Sequence, residues 1–575
     1  MAQRRPPWQL AMGAFAIYLL MSLVLVGHGT YAHFGSMSVG YGTDPSLFMW
    51  SLEWLPRTIL DGHSLLHSDV IFAPEGFNTT LITSIAAPAL AMAPVTLLAG
   101  PLISYNVLAI LIPAVNGWAA YLLCRVAGAR AWPSIVGGYV FGFSSYVLAQ
   151  TLGHPNLSMV AMVPLAAYLV LRRQQKTISS RAFVPCLGAV LAFQFFTSTE
   201  VFLTMALAGV VVFSLAMALF PTERKELFEV AQLTTLAYVL MAVVVSPYLI
   251  SFLTSHQSFN HIHPTAGLTD PVNLVIPTRL SLGGAHFYSL SSKFTGNMIE
   301  NGAYLGIPML IVLALYAWQH GRERRALLLL ATFTIAVVAS FGPRLTVLGG
   351  DVGPPLPWEL MMDLPLTRYV LPLRMMMFAW LALAVIVALW LSSANRMRPA
   401  SWALVLVGLA FLLPDPRAID PEPGHWGAGL WAEKRPLPDL FKSGDRRLFQ
   451  GHPNLLVLPY NEAGDAESTY WQANTGMAYS MPGGYVSGTL PDEFTCWPLV
   501  ELLRREGYPD SDPQEFLNFL SVKEVDLVLA LPTTARAAAP LLDQLKSPRR
   551  HIGGMVVIPV PKQQRPAPVP ATCSQ

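Results

Sequence analysis

Runs of about 20 apolar residues, the length a helix needs to cross a hydrocarbon core, recur through the first 414 positions. They lie at roughly 9–27, 83–99, 103–124, 133–151, 157–171, 182–199, 201–220, 229–253, 303–319, 326–342, 374–393 and 399–414. Run 83–99 is short and is interrupted by Pro88 and Pro94. Past Pro414 the pattern changes. Short apolar strands (Leu455–Leu458, Val525–Leu531, Met555–Val560) alternate with helical stretches at about 493–506, 513–520 and 533–546, as in a small α/β unit. The final dozen residues, with Pro566, Pro568 and Pro570, read as disordered.

Basic residues decide the topology, because short cytoplasmic loops collect Lys and Arg. If run 83–99 lies re-entrant or along the interface, then Arg4/Arg5, Arg125/Arg130, Arg172/Arg173/Lys176/Arg181, Arg224/Lys225, Arg322/Arg324/Arg325 and Arg396/Arg398 all fall on one side. The expectation is an all-α polytopic bundle, residues 1–414, of about 11 spans with the N-terminus inside. Its outer loops are 28–102, 254–302 and 343–373. Residues 415–575 then form a C-terminal extracytoplasmic α/β domain. The first run has no small-residue cleavage site after it and reads as a retained span.

Composition agrees: 53% of the 575 residues are hydrophobic and 12% charged, against about 25% charged in soluble domains. A net charge of +2 gives no reason to expect nucleic acid as a partner. Four cysteines show no metal-ligand spacing. Cys496 and Cys573 either pair in an oxidising compartment or stay free thiols.

The chemistry-bearing residues avoid the middles of the spans. Asp44, Glu53, Asp61, Asp69, Glu75, His154, Glu200, His261, His263, Glu300, Arg344, Arg368 and Arg374 gather on outer loops and span ends. A proton-coupled carrier keeps charge near the midplane, so the pattern favours a reaction centre at the outer interface. Asp44 opens an amphipathic stretch, Ser46–Leu60, whose Leu47, Trp50, Trp54 and Leu55 suit the lipid interface. A plain helix N-cap is the alternative role for Asp44.

Taken in order, several fragments are similar to the GT-C superfamily of polytopic glycosyltransferases, and within it to the bacterial YfhO-like branch. They are the Asp44 loop, Ala73-Pro74-Glu75-Gly76-Phe77-Asn78, Tyr105-Asn106, Phe141-Gly142-Phe143-Ser144, Gly153-His154-Pro155-Asn156, Ser198-Thr199-Glu200, Tyr304-Leu305-Gly306 and Leu371-Pro372-Leu373-Arg374. The resemblance implies a polyprenyl-phosphate-linked sugar as donor, an acid in the first outer loop as catalytic base, commonly a second acid in a later loop, and interfacial helices between the first two spans. The chain departs from that pattern at Gly153-His154-Pro155-Asn156, which holds no carboxylate. Either His154 serves a divalent metal ion there, or no metal is needed.

On this reading Asp44 is the base of an inverting transfer. Arg374, then Arg368 and Arg344, bind the donor phosphate, since guanidinium forks match phosphate oxygens; a snorkelling arginine is the alternative for Arg374. His154, Asn156, Glu200, Glu300 and Glu75 are candidate substrate contacts; structural hydrogen bonding is the alternative for His154, and Glu200 and Glu300 either bind sugar hydroxyls, support Arg374 or form one half of a buried ion pair. One carboxylate suffices because the leaving lipid phosphate is already a stable anion and needs no protonation, unlike the leaving group in glycoside hydrolysis. His261-Ile262-His263 lacks a third metal ligand nearby, and Asn78-Thr79-Thr80 is a chance sequon. Tyr470, Trp471, Gln472, Tyr479 and Tyr485 either bind carbohydrate or pack the C-terminal core. The expected function is transfer of a sugar to an envelope glycan, lipid or protein at the bacterial inner membrane, with active face and C-terminal domain outside. A glycolipid transporter or flippase, and a catalytically inactive envelope-assembly protein, are the alternatives.

Overall fold

The computed structural model describes residues 7–255, 265, 267–364, 367–393, 399–420, 428–442, 448–460, 467–485, 490–562, 570 and 573. Arg4, Arg5, His261, His263, Arg396, Arg398, Pro566, Pro568 and most of the final dozen residues lie outside them.

The apolar runs are helical because a segment without water must satisfy its own backbone. Among the described residues six helices are long and apolar enough to cross a membrane: Trp8–Leu25, Pro101–Val126, Pro155–Gln174, Thr199–Leu219, Pro221–Leu253 and Pro372–Ser393. Shorter apolar helices span Ala86–Ala99, Ser180–Phe195, Ile307–His320 and Pro399–Phe411. Ala86–Ala99 rises about 21 Å at 1.5 Å per residue, less than the ~30 Å hydrocarbon core. Run 133–151 breaks into Ala131–Gly142 and Ser145–Thr151, and the Ser144 hydroxyl caps the second piece by accepting from Val147 N–H.

The stretch after Asp44 forms the helix Asp44–Asp61, ended by Gly62 at φ 73°. Its surroundings differ from the sequence expectation. Leu47, Trp50, Trp54 and Leu55 are buried within the protein rather than facing lipid. The helix packs between Ala86–Ala99 and Pro101–Val126 on one side and Glu467–Asn474 on the other. Trp50 stacks on Trp54 at 5.3 Å and donates its indole N–H to Gln472 Oε1 at 2.7 Å. Burying each such side chain contributes about 1.5–3 kcal/mol, so the C-terminal segment covers a face that would otherwise need lipid.

Beyond residue 414 a four-stranded sheet runs in the order Arg550–Ile552, Met555–Pro559, Leu527–Ala530, Leu455–Leu458. Leu527–Ala530 is parallel to Leu455–Leu458 and antiparallel to Met555–Pro559. Leu455–Leu458 is buried at every position, the pattern of a strand covered on both faces. Cys496 and Cys573 form a disulfide. Tyr470, Trp471, Gln472 and Tyr479 are buried and serve packing: Gln472 Nε2 donates to Val70 O and Tyr479 O, tying this region to the first loop. Further ties are the antiparallel pair Met37–Val39 with Ala432–Lys434 and the bridge Ile71–Met481.

Candidate active site

Asp44 is held in place by its own loop. Gly40 adopts φ +76°, and a Cβ there would stand 1.7 Å from the Leu152 carbonyl oxygen. Tyr41 N–H donates to that same carbonyl at 3.0 Å. The loop therefore lies directly on the 152–154 turn, and only glycine permits the approach. From the other side, buried Arg435 donates to Ser38 Oγ at 2.9 Å and to Gly42 O at 2.8 Å, while Glu433 accepts from Gly42 N–H at 2.9 Å. Neither Arg435 nor Glu433 is marked by any sequence signal.

Asp44 is not the N-cap; Thr43 holds that position. Both Asp44 carboxylate oxygens accept from side chains instead. Tyr485 O–H donates to Oδ1 at 2.5 Å, and His154 Nε2 lies 3.0 Å from Oδ2. The other His154 ring nitrogen, Nδ1, is 2.7 Å from Gln150 Oε1 and 3.7 Å from Glu300 Oε1. Gln150 Nε2 donates to Glu300 Oε2 at 2.8 Å. Arg374 donates Nε to Glu300 Oε2 at 3.2 Å, Nη2 to Glu300 Oε1 at 2.5 Å, and Nη1 to Glu200 Oε2. One polar chain thus runs Tyr485–Asp44–His154–Gln150–Glu300–Arg374–Glu200.

These groups come from the ends of separate elements. Glu200 sits in the first turn of Thr199–Leu219, capped by Ser198, where the helix dipole favours an anion. Arg374 lies in the 3-10 turn Pro372–Met375 that opens the helix Met376–Ser393. Glu300 lies in the loop before Ile307–His320, its backbone N–H bonded to Asn297 Oδ1. Burial pushes the Asp44 carboxyl upward, but the His154 bond and charge, the Tyr485 bond and the Arg374 charge outweigh it and hold Asp44 below the ordinary carboxylate value. Burial pushes His154 downward, yet the bond and charge of Asp44 and the charge of Glu300 raise it above an ordinary histidine. For Glu300 burial again opposes ionisation, and Arg374, His154 and Gln150 together lower it.

The other expected residues fall elsewhere or play other parts. Arg374 spends its guanidinium fork on two carboxylates, so it is not an open phosphate site as arranged. Arg344 is exposed and 3.7 Å from Asp351, at the base of the hairpin Arg344–Val347/Gly350–Pro355. Arg368 is exposed, with its guanidinium 4.7 Å from the Tyr369 ring centroid. Glu75 pairs with Lys523 Nζ at 2.7 Å and helps dock the C-terminal region. Asn156 is buried with its Oδ1 unpartnered, as is Oε1 of Glu200. Gln150 is a member of the site that sequence reasoning did not assign, and Tyr485, expected to bind carbohydrate or pack the C-terminal core, instead bonds Asp44. Gln150 was findable as a polar residue closing an apolar run, one helical turn before His154.

Among the described residues no group of three or more His, Cys, Asp and Glu side chains is arranged to hold a metal ion. His154 faces Asp44 on one ring nitrogen and Gln150 on the other, while Glu300 is held by Gln150 and Arg374.

Three solved structures of glycosyltransferases share the fold. A mutant of arabinofuranosyltransferase AftD from Mycobacteria is similar with TM-score 0.57 and 12% identity, covering 98% of this chain and 42% of that chain. The apo oligosaccharyltransferase of Archaeoglobus fulgidus is similar with TM-score 0.53 and 12% identity, covering 92% and 71%. Archaeal oligosaccharyltransferase AglB from Archaeoglobus fulgidus, in complex with an inhibitory peptide and a dolichol-phosphate, gives TM-score 0.50 and 11% identity, covering 96% and 74%. At these identities the likeness is one of fold alone. No curated protein sequence matches the chain significantly. The model of a family described as a domain of unknown function, DUF6311, matches residues 61–413, more than half of the sequence, and the chain belongs to that family.

Proposed function

We propose that this chain is a membrane glycosyltransferase that moves a sugar from a polyprenyl-phosphate donor to an extracytoplasmic envelope glycan, lipid or protein, with inversion and with Asp44 as base. The observation that carries the reading is the Asp44 carboxylate, ionised between Tyr485 and His154 at the meeting point of several helix ends. A carboxylate held in this way can accept a proton in the transition state. The acceptor hydroxyl oxygen attacks the anomeric carbon, its proton passes to Asp44, and the bond to the lipid phosphate breaks with its electron pair leaving on the phosphate.

Exposed Arg368 and Arg344 on the loop between two span ends are the first cations for that phosphate; Arg374 engages it only by exchanging one of its carboxylates. The similar AglB structure holds a dolichol-phosphate, which supports a lipid-phosphate donor. We place eleven spans with the N-terminus inside, and the C-terminal α/β domain outside. The Cys496–Cys573 disulfide supports that side, since disulfides persist in oxidising compartments. The ordered fragments around Asp44, His154 and Arg374 support the YfhO-like branch and a bacterial inner membrane.

The test is reconstituted protein with polyprenyl-phosphate sugars, wild type against Asp44→Asn. A positioned base is worth on the order of 10²–10⁴-fold, so turnover falls by that much. Undiminished transfer in the variant removes Asp44 from catalysis, and lipid scrambling without transfer favours a flippase.

A further inference from the structure

The hydrogen-bond polarity around His154 can be followed from one end. Arg374 is a donor only, and its two bonds to Glu300 make Glu300 an ionised acceptor. Glu300 Oε2 can then face only a donor, which fixes the Gln150 amide with Nε2 toward Glu300 and Oε1 toward His154. An amide oxygen has no proton to give, so His154 Nδ1 must carry one. On the other side of the ring, Nε2 faces Oδ2 of Asp44, which already accepts from Tyr485 through Oδ1. An ionised Asp44 leaves Nε2 a donor as well. A neutral imidazole has only one N–H, and in either tautomer it would set a lone pair against an acceptor oxygen.

We propose that Gln150 is a positioning residue that keeps His154 doubly protonated, so that the group facing Asp44 is an imidazolium. His154 then has no lone pair with which to take a proton, and Asp44 is the one member of the pair able to act as base. That consequence rests on the function proposed above; the protonation state itself does not. The charged groups facing His154 are Asp44, Glu300 and Arg374. The two carboxylates favour the imidazolium and Arg374 opposes it.

The experiment reads protonation, not sugar transfer, and so separates this inference from the function. Full-length protein in nanodiscs is treated with diethyl pyrocarbonate, which acylates imidazole only in its neutral form, between about pH 5.5 and 9. Modification of His154 is followed by peptide mass spectrometry, with exposed His33 as internal reference. In wild type the His154 midpoint lies above the ~6.5 of an ordinary histidine. In Gln150→Met it falls by about one to two pH units, the worth of one hydrogen bond to a charged group. A wild-type midpoint at or below ~6.5, or the same midpoint in both proteins, overturns the proposal. If His154 proves too enclosed to react, melting curves of the two proteins give the answer. The wild-type advantage is full near pH 6 and narrows as pH rises through the folded His154 value; an advantage constant from pH 6 to 9 overturns the inference.

Discussion

The Tyr485 hydroxyl donates to Asp44 Oδ1 at 2.5 Å across a sequence separation of 441 residues. A residue beyond the membrane part thus completes the first coordination of the candidate base, and Thr43 Oγ1 in turn bonds the same hydroxyl at 3.3 Å. Tyr485→Phe removes one donor that lowers Asp44, so the Asp44 value rises. The acid limb of a pH–rate profile for sugar transfer moves to higher pH by about one to two units, since one hydrogen bond to a charged group is worth that much. An acid limb that does not move separates Tyr485 from the base.

The Asp44–His154 pair also makes stability depend on pH. Asp44 is lowered in the folded state, so its contribution is present above its ordinary value of 3.8 and is lost as pH falls through the folded value. His154 is raised, so its contribution is full below its ordinary value of 6.5 and is lost as pH rises through the folded value. The melting-temperature gap between wild type and Asp44→Asn is therefore widest between about pH 4 and 6.5 and closes on both sides. Differential scanning fluorimetry across that range measures it, and a flat gap would contradict the ion pair.

Arg374 holds two carboxylates from different elements. Arg374→Met leaves Glu200 and Glu300 without their shared cation and costs about 3–5 kcal/mol, as for other buried pairs broken on one side. Arg374→Lys recovers only part, because an ammonium cannot fork between two carboxylates. A Lys variant with the melting temperature of wild type would show that the forked geometry is not what matters.

Gly40→Ala tests the seat of the Asp44 loop. The added Cβ meets the Leu152 carbonyl at 1.7 Å in a left-handed backbone, which costs about 3 kcal/mol and pushes Asp44 away from the turn that carries His154. Full stability in the variant would mean that the loop does not rest on Leu152.

The disulfide gives a chemical count. With four cysteines in the sequence and Cys496 bonded to Cys573, unfolded protein exposes two maleimide-reactive thiols, Cys124 and Cys186, without reductant, and four with it. Cys496→Ser lowers stability by about 2–4 kcal/mol. Four thiols without reductant in protein taken from its own membrane would remove the bond and the compartment argument with it.

Much of the local structure was legible along the chain. Leu455–Leu458 is a strand in both the sequence reading and the structure, because an unbroken apolar run bounded by polar turns has few other uses. The long apolar helices were legible for the same reason. Asp44, His154, Glu200, Glu300 and Arg374 were each visible as polar residues at the ends of apolar runs. Of their pairings only the support of Arg374 by Glu200 and Glu300 was among the readings of the sequence. The outward face assigned to Trp50 and Trp54 was wrong because amphipathicity shows that a face is apolar, not whether lipid or protein covers it.

By itself, then, the sequence determined which segments are helices and strands and which residues have the chemistry to react, since periodicity and hydropathy act within a few turns of chain. Tertiary structure decided among the open readings that Glu200 and Glu300 both hold Arg374, and it alone decided that Gln150 orients His154 and that Tyr485 reaches Asp44. Apart from the one-turn step from Gln150 to His154, these pairings join elements 74 to 441 positions apart. Charge pairing depends on distance in space, which only the packing of the helix ends supplies.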